Sequence, residues 1–202
     1  IPVVGNSDSH GTVDRVYFNG MKTIVFAKEN TKDDIIEFTS LIEKNSRLLM
    51  VLISDILDLS KIESNTMEFS FCSVSLHRVL NEIGSAQRIN MREGVELLLD
   101  LPGQEVTVYT DSARLSQVIN NLVNNAIKFT SEGSIRVGYK QKGEELEFYV
   151  QDTGVGIDAE SQAHIFERFV KLNSFVHGTG LGLSICQSIV EQMGGQIGVE
   201  SE

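Results

Sequence analysis

Two glycine clusters carry the residues best suited to chemistry. Asp152-Thr-Gly-Val-Gly-Ile157 follows directly on an alternating apolar run, and Gly178-Thr-Gly-Leu-Gly-Leu183 leads directly into a helical pattern. A glycine-rich loop entering a helix N-terminus presents bare backbone N–H groups and the positive end of the helix dipole, which suits phosphate. A plain turn would use the same glycines, so the second cluster alone does not decide. Neither cluster is a P-loop, because no Gly-Lys-Ser/Thr follows. A dinucleotide fingerprint would need its glycines directly after the first strand of a βαβ unit. The third cluster lies within the run from Asp111 to Thr130, where Asn121 and Asn125 are four residues apart and Lys128 follows one turn later. On a helix these three share a face. Two amides and an ammonium there can hold a metal–phosphate complex, and the low helix propensity of asparagine argues against an incidental surface pair.

The elements that must position these groups can be read from periodicity. Asp111 opens a helix with Leu115, Val118, Ile119, Leu122, Val123 and Ala126 as its apolar positions. Residues 134–141 and 145–151 form a hairpin across Lys142-Gly143, ending at the first glycine cluster. A last helix starts near Leu181 and stops at Met193-Gly194-Gly195, after which IGVE begins a further strand. Upstream, residues 67–74 read as a strand, Ser75 starts a helix, and residues 95–101 and 105–109 are strands around Pro102-Gly103. Hairpins with helices between them predict a mixed α/β (α+β) two-layer sandwich.

Before it, a long helix runs from about Thr31 to Glu63. Ile35, Ile42, Leu49 and Ile56 recur every seven residues, as do Phe38, Asn45, Leu52 and Leu59. Two such seams mark a coiled-coil-like arm that must be buried against partners, with Asn45 fixing register. The first twenty residues are rich in Gly, Asn, Ser and Asp and read as turns, and residues 22–27 as a strand.

The 202 residues carry a net charge of −11, which argues against a nucleic-acid partner. Two cysteines, Cys72 and Cys186, make no disulfide framework and fit a reducing, cytoplasm-like setting. No run of 18 apolar residues spans a membrane, and the expectation is a soluble chain with no signal peptide.

With these motifs in place, the sequence resembles the sensor histidine kinases of two-component systems. DSARLSQVINNLVNNAIKFT is similar to their asparagine box and DTGVGI to the first glycine box. IFERFVKLN, residues 165–173, resembles the phenylalanine box, and GTGLGLSIC the second glycine box. LLMVLISDILDLSKIES resembles the second helix of their dimerisation hairpin. The likeness covers roughly residues 34–202 and implies the ATP-binding sandwich shared with DNA gyrase and MutL. It implies that Asp152 accepts a hydrogen bond from the adenine amino group, while Gly154 and Gly156 let the backbone approach base and ribose. Asn125 would ligate Mg²⁺ on the phosphates with Asn121 beside it, and Lys128 would reach a phosphate. Gly178, Thr179, Gly180, Leu181 and Gly182 would wrap the phosphates. Residues 158–177 would form the ATP lid, anchored by Phe166 and Phe169 unless those two serve only as core packing. The superfamily's hydrolases place a general-base Glu four residues before the metal-binding Asn. Here that position is Asn121, which cannot take a proton from water, so a kinase is implied over an ATPase.

Two departures qualify the resemblance. The family's phospho-accepting His on a first hairpin helix has no counterpart among His10, His77, His164 and His177, so the catalytic nucleophile is unknown. The family also continues past Glu202 into another strand. A second resemblance concerns residues 1–33, where Ser7-Asp8-Ser9-His10 is similar to the end of a PHP-type metallophosphoesterase domain. That likeness implies Asp8 and His10 as metal ligands, although the remaining ligand clusters of that family are missing.

The expected organisation is residues 1–33 as this segment or a fusion remnant, 34–65 as the dimerisation helix, and 66–202 as the catalytic domain. The expected function is ATP γ-phosphoryl transfer to a histidine on a dimerisation hairpin, with a homodimer and a response-regulator receiver domain as partners. It would take place in the cytoplasm, or in the cytoplasmic part of a longer membrane-anchored sensor. Two alternatives stand beside it: a nucleotide-binding or dimerisation module without turnover, and a metal-dependent phosphoesterase fragment at the N-terminus.

Overall fold

The computed structural model describes the backbone of residues 12–18, 21–27, 32–170 and 179–201, and the side chains of 36–170 and 179–201. Asp8, His10, His177 and Gly178 lie outside the described residues. The chain divides into two compact units, Ile1–Ser54 and Asp55–Glu202. The division falls inside one helix.

In the first unit, strands β1 (Thr12–Phe18) and β2 (Met21–Ala27) pair antiparallel, from Thr12↔Ala27 to Phe18↔Met21. β1 corrects the reading of the first twenty residues as turns. Its Val13, Val16, Tyr17 and Phe18 were hidden by the Gly, Asn, Ser and Asp around them. Helix α1 (Lys32–Glu63) has the expected extent. Its apolar residues from Ile36 to Ile53, among them Phe38, Ile42, Leu49 and Met50, are exposed, apart from half-buried Leu52.

The second unit is a two-layer α/β domain. Strands β3 (Cys72–Ser75) and β5 (Thr107–Thr110) pair antiparallel. Strands β4 (Val95–Asp100), β6 (Gly133–Lys142) and β7 (Glu145–Asp152) form a mixed sheet in the order β4-β6-β7. β4 runs parallel to β6 and β7 antiparallel to it. Helices α2 (Leu76–Arg88) and α3 (Ser112–Phe129) cover one face. Leu76, Val79, Leu80 and Ile83 meet Leu97, Ile135 and Val137 of the sheet and Ile119, Val123 and Ala126 of α3 in one core.

A second core lies on the other side of α3. There Val118 and Met67 pack with Leu181, Ile185, Cys186 and Ile189 around helix α5 (Gly182–Gln192), and Leu59 and Ile62 of α1 join them. The last turns of α1 are therefore part of this unit.

Two strand expectations fail here. Only residues 72–74 of the 67–74 run pair, continued by Ser75, because β5 offers four residues. Phe69 and Phe71 instead make ring contacts, Phe71 stacking on Tyr109 at 6.1 Å. Residues 197–200, expected to begin a further strand, form none. Within the expected lid, Asp158 caps a one-turn helix α4 (Ala159–Gln162), accepting a hydrogen bond from the Ser161 N–H at 2.8 Å.

Candidate functional site

Helix α3 is the scaffold of the site. Asp111 caps it, and the carboxylate accepts from Ala113 and Arg114 N–H at 2.9 and 3.0 Å and from Ser70 N–H at 2.7 Å. Burial pushes the Asp111 pKa up, but these N–H donors, with the Arg114 charge, bring it below the ordinary carboxylate value. Between the two apolar faces of α3 lie Asn121 and Asn125, both half-buried.

Asn121 joins α3 to the second glycine box. Its Nδ2 donates to the Gly182 carbonyl at 3.0 Å, at the start of α5. A Cβ on Gly182 would lie 2.7 Å from Asn121 Oδ1, so only glycine lets the amide sit there. Asn121 also touches the Cys186 thiol. Burial drives that thiol up to about 12, the Asn121 contact pulling weakly the other way. Asn121 is thus a structural tie as well as the neighbour of Asn125 that the sequence suggested.

The same box is shaped by three further bonds. Thr179 Oγ1 accepts from Leu181 N–H at 3.0 Å and donates to Asp55 Oδ2 at 2.9 Å. Gly180, at φ +72°, accepts from the Phe169 N–H at 2.8 Å. Phe169 is itself at φ +64° and is 68% exposed, so it is not core packing, whereas Phe166 is half-buried. Leu181 caps α5 without a side-chain hydrogen bond. An apolar cap leaves the first-turn N–H groups without a side-chain acceptor, which suits an incoming anion.

The first glycine box sits at the other end of α3. Asp152 Oδ1 accepts from Gly154 N–H at 2.8 Å and from Thr130 Oγ1 at 3.4 Å. Thr130 is fully buried at the C-cap of α3. A Cβ on Gly154 would lie 2.6 Å from the Phe129 carbonyl, so the loop is laid directly on the end of the helix. Gly156 takes φ +70°. Asp152 itself is exposed.

Lys128 lies between the boxes. It is solvent-accessible, yet the protein around it lowers its pKa by desolvation while the Asp55 charge pulls it upward. Burial raises the Asp55 pKa and the Thr179 hydrogen bond lowers it. Among the described residues, no cluster of three His, Cys, Asp or Glu side chains could hold a metal ion.

Sequence reasoning missed Thr130, Asp55 and Asp58. Asp58 is 8% exposed and accepts from Arg114 Nη1 at 3.2 Å and Gln117 Nε2 at 2.8 Å. The available signal was two acids three residues apart inside an otherwise apolar helix segment.

The comparisons agree with this geometry. Residues 110–202 match the family described as histidine kinase-, DNA gyrase B- and HSP90-like ATPase. The sensor histidine kinase RcsC of Escherichia coli K12 is 39% identical over 165 residues, 78% of this chain and 17% of RcsC. The circadian input-output histidine kinase CikA of Synechococcus elongatus is 36% identical over 173 residues, 82% of this chain and 23% of CikA. The chain thus spans about a fifth of the length of these relatives. Full-length ShkA, solved with AMPPNP, superposes with a TM-score of 0.75 at 29% identity, covering 85% of this chain and 36% of ShkA. A nucleotide-free catalytic domain of histidine kinase ThkA gives a TM-score of 0.59 at 30% identity, covering 65% of this chain and 89% of that domain. Fold, motif geometry and relatives converge: this chain belongs to the sensor histidine kinases and carries their catalytic domain.

Proposed function

We propose that the chain binds Mg·ATP and transfers its γ-phosphoryl group to a histidine on a dimerisation hairpin. The observation that carries this reading is the convergence of three motifs on α3. Asn121 holds Gly182 at the uncapped start of α5, while Phe129 and Thr130 hold Gly154 and Asp152 at the other end. Asn125 and Lys128 lie on the stretch between.

In this arrangement Asp152 takes the adenine amino group, its carboxylate oriented by Gly154 and Thr130, and Gly154 and Gly156 admit the base and ribose. Thr179, Gly180 and Gly182 present backbone N–H groups to the phosphates beside Leu181, whose own N–H is held by the Thr179 hydroxyl. Lys128 supplies a point charge. Asn125 would hold Mg²⁺, which would neutralise phosphate charge. The donor set fits an ion that arrives with the triphosphate, because one amide and no carboxylate cluster makes no resident cage. Catalysis is then positioning and electrostatic stabilisation, as phosphoryl transfer demands. Asn121 is bonded to a carbonyl and has no basic oxygen for water, so phosphate waits for a protein nucleophile.

Helix α1 contains no histidine. Of the two described histidines, His164 pairs with Glu167 at 2.6 Å and His77 lies on α2 with its Nε2 buried. The acceptor is therefore supplied by another segment. The exposed apolar residues of α1 supply the dimer seam, with a receiver domain as the onward phosphate acceptor and cytoplasmic ATP as the donor. No described helix is long and apolar enough to cross a membrane.

The test is calorimetric titration with ATP and ADP, with and without Mg²⁺, followed by incubation with labelled ATP and a separate acceptor hairpin. Mg²⁺-dependent binding lost in Asp152→Ala, and label on the hairpin, are expected. Absence of binding overturns the reading. Binding without transfer leaves the non-catalytic module in its place.

A further inference from the structure

The reading above leaves one charged group at the site unused, the carboxylate of Asp55. It comes from the last turns of α1 and is half-buried, with Oδ2 2.9 Å from the Thr179 hydroxyl. That hydroxyl has a single proton, and it is donated to Asp55, while its oxygen accepts the Leu181 N–H at 3.0 Å. Through one hydroxyl, an anion is therefore fastened to the backbone at the start of α5. The negative charge also acts on Lys128, the lysine proposed to reach a phosphate.

The position of Asp55 is enforced by its surroundings. One turn on, buried Asp58 holds Arg114 and Gln117 of α3, and Arg114 Nη1 is tied to Gln117 Oε1 at 2.8 Å. Leu59 and Ile62 enter the core around α5, and Glu63 pairs with Arg168. Asp58, Leu59 and Ile62, with the surface pair Glu63–Arg168, hold this end of the helix against α3 and α5, and so keep Asp55 beside Thr179 while α1 stays seated.

We propose that Asp55 competes with the nucleotide phosphates for Thr179 and Lys128, so that seating of the α1 end and tight binding of ATP oppose one another. The inference rests on the nucleotide reading and adds a regulatory residue to it. One hydroxyl proton cannot serve a carboxylate and a phosphate together, and two anions beside one lysine repel. By linkage the effect is reciprocal: a signal that lifts the α1 end raises ATP affinity, and ATP loosens the α1 end. Adenosine has no phosphate and is indifferent to Asp55.

The experiment titrates the full chain with adenosine, Mg·ADP and Mg·ATP, comparing wild type with Asp55→Ala, Asp55→Asn and Glu43→Gln. Glu43 pairs with Arg47 on the exposed surface of the same helix and controls for net charge. Asp55→Ala should tighten Mg·ATP by about tenfold, the scale of one screened charge removed from a phosphate site. Mg·ADP should gain less, and adenosine binding and the Glu43→Gln variant should be unchanged. Asp55→Asn keeps an acceptor for Thr179 without the charge and should fall between. In wild type, saturating Mg·ATP but not adenosine should speed amide hydrogen exchange in residues 55–63, a readout that needs no variant. Wild-type binding of adenosine and ATP with no tightening in Asp55→Ala and no change in exchange overturns this inference alone. Failure of every form to bind any of the three ligands overturns the nucleotide reading and this inference with it.

Discussion

The contact between Asn121 and Gly182 makes a quantitative claim. A Cβ added at Gly182 would meet Asn121 Oδ1 at 2.7 Å, Nδ2 at 2.8 Å and Cγ at 3.1 Å, all inside ordinary van der Waals contact. The amide can retreat only by giving up its 3.0 Å bond to the Gly182 carbonyl. That bond is worth about 0.5–1.5 kcal/mol, and the crowding adds roughly 1–3 kcal/mol. Alanine offers up to about 1 kcal/mol of helix propensity in return, less at a first helical residue. Gly182→Ala should therefore destabilise the domain by about 1–3 kcal/mol. In a unit of this size that lowers the melting temperature by about 2–4 °C per kcal/mol. Asn121→Ala loses the same bond without crowding, and should cost about 1 kcal/mol.

The double variant is the decisive one. With alanine at 121 the obstacle is gone, so Gly182→Ala should add almost nothing, and the cycle should show a coupling of about 1–3 kcal/mol. Urea unfolding of the four forms, followed by far-ultraviolet circular dichroism, measures it. Additivity within about 0.5 kcal/mol would show that the two residues do not share the contact on which the site geometry depends.

Five further outcomes follow from other contacts of the domain. Gly154→Ala places a Cβ 2.6 Å from both the Phe129 carbonyl and Asp152 Oδ1, and should abolish adenosine binding. Gly180→Ala must adopt φ +72° against the Phe169 backbone at 2.8 Å, and should weaken Mg·ATP by at least about tenfold while sparing adenosine. Gly103→Ala meets nothing within 4 Å and should leave both titrations unchanged. Cys186 is fully buried with its thiol pushed up to about 12, and Cys72 is exposed. A maleimide at neutral pH should label one thiol in the native chain and two in urea, and rapid native labelling of both would refute that burial. The folded Asp111 value lies below the ordinary 3.8, so its contribution is present above that value and is lost as pH falls through the folded one. Asp111→Asn should flatten the acid limb of the stability curve, and an unchanged limb in urea titrations would discount the capping bonds.

What the sequence disclosed and what it hid divide along physical lines. Local signals were legible: Asp111 caps α3, the hairpin turns at Gly143-Glu144, one residue on from the expected Lys142-Gly143, and α5 ends at Gln192, just ahead of Gly194. Each depends on residues within a few positions of one another. The strand content of residues 67–71 and 197–200 was misread because alternation announces only a readiness to pair. The ladder also needs an edge, and β5 supplies four residues. The glycine boxes and the asparagine pair were legible as types. Their joining through Asn121 and Gly182 spans 61 residues, and the Thr179–Asp55 bond spans 124, so no window of the sequence contains either.

The two heptad seams of α1 meet different surroundings at their last repeat. Ile56 and Leu59 are seam positions of equal apolar character, yet Ile56 is 56% exposed while Leu59 packs into the core around α5. At this repeat, therefore, one seam position is taken up by the core around α5 and the other is exposed. Asp55 sits beside Ile56, on the turn leading to Leu59. A helix that repacks its exposed seam must rotate or shift, and rotation of a packed helix carries every side chain of that turn with it. The Thr179 bond is only 2.9 Å long, so a displacement of about an ångström is enough to break it. The same geometry that hides Asp55 from sequence reasoning, a polar residue at the hand-over of an apolar stripe, places it where movement of the helix would be felt by the phosphate site.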